Sequence, residues 1–138
     1  MAKNPTLQDL EGDDWGEPTY DSYLVNTVHA LRRKPLSEFT VEDLRIMLGQ
    51  TIGVNYLVPL ALTHLERDAF VAGDFYPGDL LSVVMGVGAE YWRSHPTEAA
   101  RMSRVADQAG VLLDGREETD EIKDHLRALI VARPWHAA

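Results

Sequence analysis

Fifteen consecutive residues, EGDDWGEPTYDSYLV from Glu11 to Val25, hold five carboxylates, a tryptophan and two tyrosines with no basic side chain. Carboxylates at that density can ligate a cation, share a proton in acid–base catalysis, meet a basic partner, or cap a helix. Asp13, Asp14, Glu17 and Asp21 lack the alternating D-x-D-x-D-G pattern and the terminal glutamate of a calcium loop. Acid–base work needs a pocket that perturbs one pKa, and so hydrophilic a segment does not announce one. Two readings remain. Asp21 or Ser22 caps the following helix while Trp15 and Tyr20 fold back as apolar anchors, or Asp13, Asp14 and Glu17 form an exposed rim for a basic partner.

A second acidic cluster lies near the other end: Asp114, Glu117, Glu118, Asp120, Glu121 and Asp124, offset only by Arg116 and Lys123. Such a run is either a solvated helix start or a negative patch that a basic protein recognises. A tight interface also needs apolar anchors inside its charged rim. Trp92 and Trp135 are the candidates, with the core as their alternative place.

The remaining chemistry-bearing residues do not assemble into a recognisable catalytic motif. His29, His64, His95, His125 and His136 form no H-E-x-x-H or H-x-x-x-H pattern. His64 and Asp68 share a helix face at i, i+4, but two ligands make a poor metal site. Ser82, in LLSVV, lacks the glycines of a nucleophile elbow. Gly86–Gly88 is the one G-x-G, follows a helical pattern rather than a strand, and has no third glycine at the required spacing. With no cysteine there is no thiolate site or disulfide framework. The expectation is a protein with no catalytic residues, no metal and no cofactor.

The net charge of −9 argues against nucleic-acid binding, which needs a positive face, and permits a basic protein partner whose approach it would speed. The opening MAKNPTLQDL has no apolar run behind a basic start, and no stretch approaches the ~20 apolar residues of a membrane span. A cytoplasmic protein is expected, with residues 1–138 forming one domain and 1–21 an acidic segment packed on it.

The elements that must position these residues read as helices. Thr6 caps a short turn over Leu7–Glu11. Leu24, Val28 and Leu31 mark one face of a helix closed by Arg32, Arg33 and Lys34, where the negative end of the helix dipole favours cations. Thr40 and Asp43 resemble a capping box ahead of Leu44, Met47 and Leu48, with Gly49 at the end. Val54, Leu57, Val58, Ala61, Leu62 and Leu65 give the clearest helical period, and Pro59 inside it predicts a kink or a helix beginning close to it. Leu80–Met85 reads as a central helix, a buried strand being the rival. A turn or short helix over Ala89–Ser94 precedes one opened by Pro96, and Thr119 caps a last helix carrying Ile122, Leu126, Leu129 and Ile130. The fold class is all-α, a single compact bundle of about six or seven helices.

Several stretches in order carry a family resemblance: LEGDDWGEPTYDSYLV, ALRRKPLSEFTVEDLRIMLGQ, GVNYLVPLAL and AGDFYPGDLL. The matching pieces are Leu10–Trp15, Asp21–Val25, Leu31–Leu36, Phe39–Gln50, Tyr56–Leu62 and Gly73–Leu81, spanning roughly residues 6–85. Together they resemble the immunity proteins of bacterial contact-dependent growth inhibition (CDI) systems. The resemblance implies a cytoplasmic inhibitor, not an enzyme, that binds the C-terminal toxin domain of a large exoprotein delivered by a neighbouring cell. Many such toxins are nucleases with basic substrate faces, which an acidic protein suits. It also implies that Trp15, Tyr20 and Tyr23 pin the acidic loop, that Leu44 and Leu48 fill the core, and that Pro77 with Gly78 shapes a turn. Specificity would then lie in the unmatched residues, Asp114 to Asp124 first. The alternative is a small acidic helical adaptor or regulator for another basic protein.

Overall fold

A computed structural model of the chain describes residues 4–19 and 21–136. Four helix starts are set by side chains that take up backbone N–H groups a helix cannot pair internally. Thr6 Oγ1 accepts from Asp9 N at 3.0 Å while the Asp9 carboxylate accepts from Thr6 N, opening α1 (Leu7–Glu11). Ser22 Oγ, rather than Asp21, accepts from Val25 N at 3.1 Å and opens α2 (Tyr23–Arg32). Thr40 and Asp43 complete the expected capping box of α3 (Val41–Gly49), despite an aspartate in the third position. Thr119 caps α8 (Asp120–Ala132).

Between these lie α4 (Val54–Arg67), α5 (Asp79–Met85), α6 (Ala89–Ser94) and α7 (Pro96–Leu113). Among the described residues there are thus eight α-helices, a single 3-10 turn at Leu36–Glu38, and no strand, only an isolated bridge between Ala72 and Pro77. The count exceeds six or seven because both short segments, Leu7–Glu11 and Ala89–Ser94, close as helices. Pro59 does not start a helix. α4 begins five residues earlier and runs through it, leaving the Asn55 carbonyl without the N–H that would ordinarily bond it.

α4 sits at the centre, packed on α3, α5 and α7, with Leu57, Val58, Ala61, Leu62 and Leu65 wholly buried. Burial of each leucine stabilises by about 1.5–3 kcal/mol. The seven-residue α5 buries Leu80, Leu81, Val84 and Met85 against α3, α4 and α8, so the run with β-branched residues is the central helix and not a strand. Leu44 and Leu48 fill the core as expected. Gly78 starts α5 at φ 99°, a left-handed conformation, and a Cβ there would stand 2.9 Å from Leu126 Cδ1. Only glycine lets the Pro77–Gly78 turn bring α5 against α8.

Two expectations for α2 fail. Leu24 is exposed, the buried stripe being Val28 and Leu31 alone, and Tyr23 is 80% exposed and pins nothing. Tyr20 lies outside the described residues.

Candidate partner-binding surface

The N-terminal acidic segment is organised around one buried cation. Arg32, 2% exposed, bonds the Glu11 carboxylate and the Asp13 carbonyl, and its guanidinium lies 4.2 Å from the centre of the Trp15 ring. Trp15 also meets His29 edge-on at 5.4 Å and donates from Nε1 to Asp13 Oδ2 at 3.2 Å. Arg33 donates to the Gly16 carbonyl at 2.6 Å and pairs with Glu17 at 3.3 Å, reaching Asp14 at 4.0 Å. Lys34 pairs with Asp43 at 2.6 Å. The basic triplet at the end of α2 therefore clamps the acidic loop to α2, and α2 to α3, in addition to complementing the helix dipole. Asp13, Asp14 and Glu17 keep exposed carboxylates above that clamp. A signal for the clamp was present: a segment with acids only, followed within twenty residues by the densest basic cluster in the chain.

The C-terminal cluster surrounds the α7–α8 turn. Asp114 and Asp124 share Arg127, at 2.6 and 3.2 Å, on an open surface. Glu118 differs. Its side chain is largely buried against Arg116, which donates from Nε at 2.8 Å and lies 4.0 Å over the Phe70 ring. The hydrogen bond from Arg116 holds the Glu118 carboxyl below its usual 4.5. Glu117, Asp120 and Glu121 are exposed and, among the described residues, make no ion pair or side-chain hydrogen bond. Three of the six carboxylates named in the sequence thus stay open, two share one arginine, and one is structural.

Trp92 requires a correction. It is 2% exposed, donates from Nε1 to the Val87 carbonyl at 2.8 Å, and offers no surface to a partner. Trp135 is equally buried and donates to Ser103 Oγ at 2.9 Å. Both close the core, as amphipathic rings do once the N–H finds an acceptor. Among the described residues the exposed aromatic side chains are Trp15, Tyr23, Tyr56 and Phe75, and the two most exposed are Tyr23 on α2 and Phe75, 71% exposed, in the α4–α5 loop. Their signal was position. Tyr23 lies off the buried stripe of its helix, and Phe75 stands in a segment of glycine, aspartate and proline that no helix period explains.

Phe75 is held outward by two carboxylates. Asp79, itself 2% exposed, accepts from Gly73 N at 2.7 Å, Phe75 N at 3.0 Å and Tyr76 N at 3.4 Å. Glu42 accepts from Asp74 N at 2.9 Å and from Arg45 Nε at 2.6 Å, and Arg45 lies 4.0 Å over the Phe75 ring. The Arg45 hydrogen bond keeps the Glu42 carboxyl below 4.5 against the opposing effect of burial. A Cβ on Gly73 would meet Glu42 Oε1 at 2.6 Å and Asp79 Oδ2 at 3.0 Å, so the glycine is needed for this convergence.

Two histidines elsewhere meet partners within the fold. Ser82 Oγ and His125 Nε2 lie 2.6 Å apart, linking α5 to α8. His95 stacks on Tyr91 at 4.0 Å beside an open cleft of about 560 Å³, and burial raises the Tyr91 phenol to about 12. A phenol with that pKa stays protonated at neutral pH and is no base there. Among the described residues no group of three His, Asp or Glu side chains could hold a metal ion, and no helix is long and apolar enough to cross a membrane.

No curated protein matches the chain. The family described as CDI immunity proteins matches residues 9–102, which carries the likeness beyond α5 through α6 and into α7, and stops short of the acidic α7–α8 turn. With well over half of its 138 residues matched, this chain belongs to the CDI immunity proteins.

Proposed function

We propose that this protein acts in the cytoplasm by binding the C-terminal toxin domain of a cognate CDI exoprotein and neutralising it, without a catalytic step of its own. Family membership over residues 9–102 is the observation that carries this reading. The toxin domain in this reading is basic, a nuclease whose phosphate-binding face meets carboxylates in place of substrate. The net charge of −9 and the open side chains of Glu117, Asp120 and Glu121 support that pairing, with Asp114 and Asp124 beside them. Rim charges mainly raise the association rate and select the partner, whereas buried contacts set the lifetime of the complex. Effective protection needs nanomolar affinity or better, about −12 kcal/mol, over an interface of about 1,600 Å².

The test is neutralisation itself. The C-terminal toxin domain of the cognate CDI exoprotein is expressed in cells with and without this protein, and purified toxin activity on nucleic acid is followed as this protein is added. Growth rescue and loss of activity at one equivalent are expected. Unrescued growth with full residual activity at excess would overturn the reading.

A further inference from the structure

Exposed apolar surface is distributed unevenly over the molecule. Tyr23 and Phe75 both line a groove of about 330 Å³, together with Leu24, Ile46 and Gln50. A second hollow, lined by Trp15, Val28 and His29, shares Leu24 and Gln50 with the first, so one apolar face runs from Trp15 to Phe75. The other large exposed side chains near a charged region, Val111 and Leu112, are aliphatic and lie at the end of α7. Interfaces draw their affinity mostly from tyrosine, tryptophan and arginine contacts, with leucine and valine under-represented.

The groove is built rather than incidental. Four successive backbone N–H groups, from Gly73 to Tyr76, are taken by Asp79 and Glu42, which fixes the loop that carries Phe75, and Arg45 lies 4.0 Å over one face of the ring. A ring displayed in that way loses little freedom when it is covered. The charge around it favours one class of occupant. Glu42, Arg45 and Asp74 line the groove, and because Arg45 is already paired with Glu42 the Asp74 carboxylate is the charge left over, with Asp21 just ahead of α2. Two rings of this face already carry guanidinium groups from within the chain, Arg32 on Trp15 and Arg45 on Phe75. A second copy of the chain, with its own net charge of −9 and the same acidic rim, would be repelled.

We propose that the Tyr23–Phe75 groove is the anchor of the toxin interface, occupied by an arginine-bearing segment on the basic face of the toxin domain. The arginine stacks on Tyr23 or the free face of Phe75 and pairs with Asp74, and the open C-terminal carboxylates steer the approach. This inference rests on the toxin-binding reading above.

The experiment is surface plasmon resonance of immobilised toxin domain against this protein, Tyr23→Ala, Phe75→Ala, the double variant, Asp74→Asn, and Val111→Ala/Val131→Ala as a control. Circular dichroism melts confirm folding, which substitution of exposed rings should leave intact. Each ring substitution is expected to raise the dissociation rate at least tenfold and the double variant at least a hundredfold. Asp74→Asn should raise it several-fold, and the control should stay within threefold of the parent. Tight binding by the parent and an unchanged double variant would overturn the groove assignment while leaving toxin binding intact. A parent that fails to bind would overturn both. A dimer of the free protein at micromolar concentration that the double variant dissolves would assign the groove to a second copy instead.

Discussion

The two acidic regions are alike in composition and opposite in use. Between Glu11 and Glu17 carboxylates and backbone carbonyls turn to Arg32 and Arg33, and the segment is a strap that holds Trp15 against α2. Around the α7–α8 turn Glu117, Asp120 and Glu121 are met by nothing among the described residues, and Asp114 and Asp124 lean on one half-exposed arginine. A count of acids distinguishes neither region. What separates them is where the cations lie: the strap faces a basic helix end, one of whose arginines is in the core, whereas the turn faces water. The first region also lies inside the family match and the second outside it.

Substitutions at the cations should widen or erase this contrast. Arg32→Ala removes a buried guanidinium from Glu11, the Asp13 carbonyl and the Trp15 ring together, and about 3 kcal/mol of stability should go with it in urea unfolding. A loss below ~1 kcal/mol would mean that the strap is no more structural than the turn.

Glu118→Gln should cost about 1 kcal/mol, since one charge-assisted bond to Arg116 is weakened where the side chain is largely buried. The same variant tests a pH dependence. Glu118 and Glu42 have carboxyls held below 4.5 in the folded protein, so the unfolded chain binds more protons as pH falls through that value. Their stabilisation is complete above about 4.5 and is lost on acidification toward the lower folded values. Thermal melts between pH 6 and about 3 should show this fall, with a shallower slope for Glu118→Gln.

The smallest effect is expected at Arg127→Ala, where two exposed pairs vanish for no more than ~0.5 kcal/mol, measurable in the same unfolding series. A loss as large as that of Arg32→Ala would make the C-terminal cluster a second clamp.

Much of the fold could be read because its instructions are local. Thr40 and Asp43, Thr119 and Ser22 cap helices through bonds spanning three residues, and the α4 period needs only its own fourteen. The site was less legible. Arg32 meets Glu11 across twenty-one positions and Asp74 meets Glu42 across thirty-two, and neither pairing leaves a periodic trace. An indole suits core and surface alike, and only the bond from its N–H to the Val87 carbonyl places Trp92 inside. The family resemblance implies that Tyr23 pins the loop, yet the cap at Ser22 fixes the helix phase and turns the ring outward. The segment GDFYPGDLL mattered in two ways at once: its glycines and Asp79 are scaffold, and the scaffold's product is an exposed Phe75.

Calorimetric titration of the purified protein into the cognate toxin domain, at about 0.05 and 0.5 M salt, tests the central claim most directly. One-to-one binding at nanomolar affinity, weakened moderately by salt because apolar anchors carry most of it, is the expected result. The absence of detectable heat and binding at either salt would contradict the account.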